Sequence, residues 1–590
     1  MWYAAPGMLC IFAAVVLLGL DGLRGGSVFR GLPGAMPWSI FLVYAAVRIP
    51  FSDSPYDARM EFLTAAAVLA AYWAWSRVAH RGPRWQHAAF ALAHVLLFAL
   101  AVYAIVQDIR GSNGVMWAER TEKYGMRASG SYICPNHFAN LMAVAIPTGL
   151  SLALFGGAGP ALRILGLLSA AASGYALVLT QSRGGAIGAA VAVSLGSILV
   201  AARKGRRWLA VALIALPLGL AAAAAGIWFG HPAFRGRIEQ ALKGEEFRSR
   251  PLIWRSAILV AMEQPLTGHG ASTFQWHHDR YHTWAGSAFA RQAHNEYLNT
   301  WAEYGGIGLA LVLATIAAGG VGFLRRWRRA ATPGEAALYA GLIGACGGSL
   351  AHAVFDFNHH VFANNLVFAL WAGTLAGRSV AAAGRPASAF AVRAPSAALA
   401  LLGIVLFADT ARSFAAHRLL DRGRAAAENM DDLRAEACFA RSSRLDGSRA
   451  ESFLERAKLA RLRAQWSPSR EVRRSAGDEA IAGYREALRR NPCLMEAEYG
   501  ISLVLQQRGD NDAALAHLDG IVAFAPKDPY YQIERGILLR QMGRMKEAEA
   551  AFRAALAADP SNRVAKSNLV AVNPDASATK KKKAAGKPAP

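Results

Sequence analysis

Acidic residues are scarce in this chain. Its 590 residues include 40 Asp or Glu against 64 Lys or Arg, and charged residues make up only 18%, below the roughly 25% usual in soluble domains. With 54% hydrophobic residues, a disordered chain, a collagen-like fibre and a single soluble core are all excluded. Cysteine is sparse as well: five residues, none in a CxxC pair, give neither a disulfide framework nor a zinc ribbon. Cys10 and Cys346 fall inside apolar runs and read as packing residues. There is no G-x-x-x-x-G-K-[ST], so no signature of ATP-driven transport, and no G-x-S-x-G nucleophile elbow. Carboxylates within the apolar runs are few, which argues against a proton-coupled transporter. The net charge of +24 would suggest nucleic acid in a soluble protein. Here many basic residues flank apolar segments, so the excess reads as membrane topology and no nucleic-acid partner is expected.

What the chain has is about twelve apolar segments near the ~20 residues that a bilayer requires: 5–22, 35–52, 61–79, 86–107, 136–155, 161–181, 184–202, 207–229, 303–324, 335–356, 360–377 and 388–408. The first lacks a charged n-region and reads as a span, not a cleaved signal. Arg24 and Arg30, Arg77 to Arg84, Arg163, Arg203 to Arg207, Arg325 to Arg329, and Arg378 and Arg385 occupy alternate loops, which the positive-inside rule assigns to the cytoplasm. The other set faces outward: Asp53–Asp57, Asp108–Pro135, Gln181–Gly184, the long segment 230–302, and Phe355–His360. Parity then places both the N-terminus and the charged C-terminal third outside.

After about residue 410 the apolar runs stop. Pro492, Pro526 and Pro560 are spaced by 34 residues, as are Ala480, Ala514 and Ala548; Tyr484, Leu518 and Phe552; and Ala487, Ile521 and Ala555. Gly509 and Gly543 keep the same spacing. A 34-residue period with small residues where helices touch and a proline after the second helix resembles the tetratricopeptide repeat. The reading is therefore all-α: a polytopic membrane bundle over 1–409, an α-solenoid over 410–572 offering a surface for a protein partner, and a disordered Lys-rich tail over 573–590.

Four polar clusters lie at the expected outer face. Ser182-Arg183-Gly184-Gly185 joins two spans with almost no loop. Arg183 there either holds a phosphate or snorkels at a tight turn. Arg248-Ser249-Arg250 precedes a stretch where Ile253, Ile258 and Met262 suggest an amphipathic helix on the bilayer; Arg suits phosphate through its planar fork. His294, in Ala293-His294-Asn295-Glu296, precedes a late span, and a neutral imidazole there can accept a proton from a hydroxyl. Cys134-Pro135-Asn136-His137 opens a span, with Asn136 as cap or ligand. His277, His278 and His282 form an HHxxxH pattern, but no second ligand cluster is evident in the sequence, so neither metal nor cofactor is expected.

Taken in order, Gly130…Pro135-Asn136-His137-Phe138-Ala139, Ser182-Arg183-Gly184-Gly185, Arg250…Trp254, Pro265…Gly268…Gly270, and His294-Asn295…Tyr297-Leu298…Glu303…Gly305-Gly306-Ile307-Gly308 resemble the O-antigen ligase and polymerase superfamily, over roughly 130–377. The resemblance implies a metal-independent glycosyl-group transferase of the bacterial inner membrane, with its site on the outer, periplasmic side. It implies an undecaprenyl-pyrophosphate-linked glycan as donor and a glycan, lipid or protein hydroxyl as acceptor. By position it implies that Arg183 and Arg250 bind the pyrophosphate, with Arg248 an alternative to Arg250. His294 would act as base or orienting group, supported by Asn136 and Asn295. The appended repeats tilt the reading toward a polymerase or a protein O-oligosaccharyltransferase. A non-enzymatic membrane scaffold or glycan exporter is the alternative.

Overall fold

The computed structural model describes residues 4–573, apart from 24–31, 81, 117, 121–123, 126, 156–158, 216–217, 220–234, 236–248, 282–289 and 377–388. Arg248, His282, most of segment 207–229 and nearly all of the 573–590 tail therefore lie outside the described residues. The described chain is almost entirely helical. Its one sheet is a two-residue antiparallel pair, Gly114–Val115 with Ala118–Glu119.

Helices occupy every predicted apolar segment; of 207–229 the described residues, 207–215 and 218–219, are helical. The first seven are α1 (Ala5–Leu23), α2 (Ala35–Arg48), α3 (Pro55–His80), α4 (Pro83–Ile109), α5 (Pro135–Phe155), α6 (Pro160–Leu179) and α7 (Arg183–Lys204). Beyond 248 come two short helices of the outward segment, α8 (Ser249–Glu263) and α9 (Phe274–Tyr281). Then follow α10 (Glu296–Arg328), α11 (Pro333–His352), α12 (Phe362–Ala376) and α13 (Ala389–Glu428). Among the described residues seven helices are long and apolar enough to cross a membrane, and three shorter apolar helices accompany them. The expected count of twelve is thus not reached by length and composition. One reason is α11, whose five glycines, Glu335 and His352 dilute its apolar character.

The bundle closes on small residues. A Cβ on Gly344 of α11 would lie 2.3 Å from the Ala192 carbonyl of α7, and one on Gly348 would lie 2.4 Å from that of Gly188. Gly149 of α5 and Gly166 of α6 meet in the same way. In lipid there is no apolar contrast to drive helices together, so close backbone approach and dispersion do the work.

The domain boundary expected near 410 falls inside α13, a continuous helix of 40 residues. Hydropathy changes there: Leu401, Leu402, Ile404 and Val405 are exposed apolar residues, and charged residues follow. The backbone hydrogen bonding that sustains a helix does not register this change, so the composition shift is not a linker.

After α13 come α14 (Asp432–Leu445), α15 (Ala450–Trp466), α16 (Arg470–Arg490), α17 (Met495–Arg508), α18 (Asn511–Phe524), α19 (Pro529–Gln541), α20 (Met545–Ala558) and α21 (Arg563–Val572). The periodic residues are the repeat core. Ala480, Ala514 and Ala548 are fully buried, as are Tyr484, Leu518 and Phe552. The Tyr484 and Phe552 rings fill the space over Gly500 and Gly536. Gly509 and Gly543 take left-handed backbone (φ 82° and 76°) where α17 and α19 stop, a conformation costly for other residues.

The repeat domain docks on the loop end of the bundle. Arg59 of α3 bonds Asp409 at 2.9 Å and also Asp446, and Arg449 bonds the Tyr56 hydroxyl. Trp276 of α9 packs against the core formed by α15, α16 and α17.

Candidate active site around Asp356

The turn between α11 and α12 carries Asp356, only 1% exposed. Three cationic or basic side chains from three other parts of the chain meet it. His294 Nδ1 lies 3.2 Å from its Oδ1, His137 Nε2 lies 3.8 Å from the same oxygen, and Arg250 lies 3.7 Å from Oδ2. The Phe357 amide donates to Oδ1 at 2.9 Å. Burial by itself would raise the Asp356 pKa. The His294 hydrogen bond and the charges of His294, His137 and Arg250 outweigh it and hold the carboxyl well below the usual range. Asp356 is therefore ionised at neutral pH.

Each partner is positioned by local chemistry. His294 has φ 49°, a left-handed conformation that is uncommon for a residue with a Cβ. The surrounding contacts impose it: Trp254 Nε1 donates to the His294 carbonyl at 3.3 Å, and the Glu296 amide donates to Ala353 O at 2.9 Å. The ring edge also meets Phe357, with centroids 4.9 Å apart. Asn295 caps α10, its Oδ1 accepting from the amides of Tyr297 (3.0 Å) and Leu298 (3.1 Å). Arg250 sits in the first turn of α8, half-buried. Asn136 accepts from Arg127 at 2.7 Å, and Arg127 also donates to Thr180 O at 2.8 Å, tying α5 to the turn that leads into Arg183. Both asparagines thus have structural tasks beside any role toward a ligand.

Arg183 is the first residue of α7 and is half-buried. Ser182 caps the helix by accepting from the Gly185 amide at 3.2 Å. A Cβ on Gly184 would lie 2.8 Å from the His352 ring and 3.4 Å from Phe355 Cβ, and one on Gly185 would lie 2.6 Å from Ala139 Cβ. These glycines let the start of α7 press against α5 and against the turn that carries Asp356.

The motif glycines of the outward segment lock two backbones together. The Gly306 amide donates to Pro265 O at 2.8 Å, the Gly270 amide to Glu303 O at 2.8 Å and the His269 amide to Ala302 O at 3.2 Å. Gly305 (φ 67°) kinks α10 at this point, and its Cβ position lies 2.2 Å from Leu266 backbone atoms. In α8, Ile253 is buried with Ala257, Val260 and Ala261, whereas Ile258 and Met262 are exposed. The three do not share one face, because nine residues at about 100° each set Ile253 opposite Met262.

Asp356, His137 and Arg127 were not singled out by sequence reasoning. The signal was present for Asp356: a single carboxylate in the apolar run Ala353-Val354-Phe355-Asp356-Phe357, at the mouth of a bundle where acids are rare. Next to it, an apolar cavity of about 430 Å³ opens among α2, α3, α10, α11 and α12, bordered by Glu61, Glu296, Tyr297, His359 and His360. His360 lies 2.8 Å from Glu296 and 3.9 Å from Glu61. Burial alone would lower its pKa, but the carboxylates prevail and raise it to about 10.

Comparison with known proteins agrees with this architecture. Residues 168–313 match the O-antigen ligase family, and residues 470–529 and 499–563 match the tetratricopeptide repeat. A stretch of 93 residues is 40% identical to "Cellulose synthase operon protein C" of Pseudomonas fluorescens strain SBW25, covering 14% of this chain and 7% of that protein. The chain thus spans a small fraction of that relative's length. Among solved structures, a thermophilic TPR protein of Thermus thermophilus aligns at 18% identity and TM-score 0.24, covering 29% of this chain and 93% of that one. MamA protein aligns at 16% identity and TM-score 0.23, covering 30% and 97%. The repeat assignment rests on the family match and the 34-residue period, not on these alignments. The stretch that matches the O-antigen ligase family thus lies in a multi-helix membrane bundle, and the stretches that match the tetratricopeptide repeat follow it.

Proposed function

We propose that this protein transfers a glycan from an undecaprenyl-pyrophosphate carrier to an acceptor hydroxyl at the outer face of the inner membrane, as a polysaccharide polymerase or ligase. The observation that supports it most is the gathering of His294, Arg250 and His137 on one buried, ionised Asp356, beside the start of the helix that carries Arg183. With Nδ1–H donated to Asp356, His294 keeps Nε2 as the basic nitrogen. That nitrogen takes the proton from the acceptor hydroxyl as its oxygen bonds to the anomeric carbon. Asp356 stabilises the imidazolium that results, the division of labour familiar from hydrolase triads. The bond from the anomeric carbon to phosphate oxygen breaks, and the carrier pyrophosphate leaves with both electrons. Arg250 and Arg183 offset its charge; guanidinium suits this because it donates two parallel bonds and stays charged. The contact of Arg250 with Asp356 at 3.7 Å is long enough for a phosphate to compete for the same cation. The apolar cavity beside the site suits the polyisoprenoid tail.

The test is reconstituted transfer with undecaprenyl-pyrophosphate glycan, without ATP. Wild type is expected to give product and Arg250→Ala none, with both proteins folded by gel filtration. A ladder of lipid-linked glycans means polymerase; one shifted acceptor means ligase or protein O-oligosaccharyltransferase. Equal product from wild type, Arg250→Ala and His294→Gln would overturn the reading. The repeat match favours a second role, in which the solenoid gathers a protein partner for polysaccharide assembly. That role requires deletion of the repeats, not the site variants, to abolish function.

A further inference from the structure

A second cluster of metal-ligating side chains lies apart from the Asp356 site, at the junction of bundle and repeats. Asp53 comes from the turn before α3, His269 and His277 from the outward segment, and Cys493 from the turn between α16 and α17. Asp53 Oδ2 lies 2.8 Å from His277 Nε2 and 3.2 Å from His269 Nδ1. Cys493 Sγ lies 3.9 Å from His277 Nε2. The atoms that Asp53, His269 and His277 present all fall within 4.8 Å of one another. His269, His277 and Cys493 are buried.

His269 stands between two carboxylates: its Nδ1 lies 3.2 Å from Asp53 Oδ2 and its Nε2 3.2 Å from Glu263 Oε2. Two buried ring nitrogens of the cluster, His269 Nε2 and His277 Nδ1, make no hydrogen bond. A cation held by Nδ1 and Asp53 leaves Nε2 facing the Glu263 carboxylate, the outer-shell arrangement usual for a metal-bound histidine. Glu263 is itself fixed by Arg280 (2.8 Å) and the Tyr281 hydroxyl (2.6 Å).

From this we infer that Asp53, His269 and His277 form a site for a divalent transition-metal cation, with zinc the best fit. Two imidazoles and one carboxylate are a donor set that zinc accepts. Zinc–ligand bonds of about 2.0–2.2 Å in a tetrahedron put ligand atoms about 3.3–3.6 Å apart, so Asp53 Oδ2, 2.8 Å and 3.2 Å from the two imidazole nitrogens, needs to move by only about half an ångström. The ion ties the turn before α3 to the outward segment, where Arg280 also stacks on Phe524 of α18, 4.4 Å from the ring centroid. The role is structural and separate from the transfer chemistry.

The experiment uses the full-length protein purified in detergent under reducing conditions, loaded with zinc, freed of unbound metal and analysed by elemental mass spectrometry. Wild type is expected to retain about one zinc per chain. His277→Gln keeps a donor toward Asp53, and with it the fold, but loses the ligand; it and Asp53→Asn should fall to background, while His517→Gln should hold as much as wild type. Zinc content equal in wild type and His277→Gln overturns the assignment.

Discussion

Asp356 is a buried carboxylate that stays ionised only because His294, His137 and Arg250 surround it. Replacing it with Asn removes the charge that would stabilise a protonated His294 and leaves the Arg250 charge without its counter-ion. Asp356→Asn is expected to lower transfer by about 100-fold or more with the protein still inserted, as read from initial rates in the reconstituted assay. The linkage has a definite sign. A carboxyl whose folded pKa is depressed adds stability above the unfolded value of about 3.9, and that stability is lost as pH falls toward the folded value. The melting-temperature difference between wild type and Asp356→Asn should be constant above about pH 5 and shrink below about pH 4. His360 has the opposite sign. Its raised pKa of about 10 makes its contribution complete below about 6.5 and lost as pH rises toward 10. Wild type should lose melting temperature between pH 7 and 10, and His360→Gln should lose less over the same range.

At the scale of elements, two contacts hold the site's supports in place. The kink at Gly305 lets α10 accept the 265–270 strand of backbone against it. Gly305→Ala meets both a left-handed φ and the Leu266 backbone 2.2 Å away. It should cost about 1–3 kcal/mol, seen as a lower melting temperature, and should weaken transfer by displacing His294 at the start of the same helix. The seam of α7 and α11 has no room either. Gly344→Val would place its side chain against the Ala192 carbonyl and push apart the helices that begin at Arg183 and end beside Asp356, so lower stability and lower activity should fall together. The motif glycines were legible as a pattern in the sequence. That they serve backbone-to-backbone packing was not, because a glycine that approaches a ligand and one that approaches a helix look identical in one dimension.

Across the whole molecule, the loop end of the bundle carries the Asp356 site, the outward segment and the docked repeats. Arg59 anchors this arrangement, half-hidden between Asp409 and the buried Asp446. Arg59→Met leaves the buried Asp446 without its cation while Asp409 keeps Arg412, a loss of about 3 kcal/mol for a buried pair, and should expose the junction to limited proteolysis. The positive-inside pattern assigns this end to the outer side of the membrane. A single cysteine introduced at Asn511 in a cysteine-free background should react with a membrane-impermeant maleimide in intact spheroplasts. One at Arg326 should react only after lysis. Labelling of both, or the reverse order, would invert the topology.

Hydropathy and the 34-residue period were enough to define the helices and the repeats, because each is a local or periodic property that a chain carries wherever it folds. His294, Arg250 and Arg183 were legible for a related reason: a polar residue at the edge of an apolar run is conspicuous against its neighbours. The tertiary structure alone decided the rest. Asp356 becomes a centre only when residues 137, 250 and 294 are folded onto it, and its ionisation follows from their charges in a buried place. Asp53 and Cys493 lie 440 positions apart and share His277 only because the repeats dock on the outward segment. Sequence spacing carries no record of that distance, since electrostatics and coordination depend on separation in space.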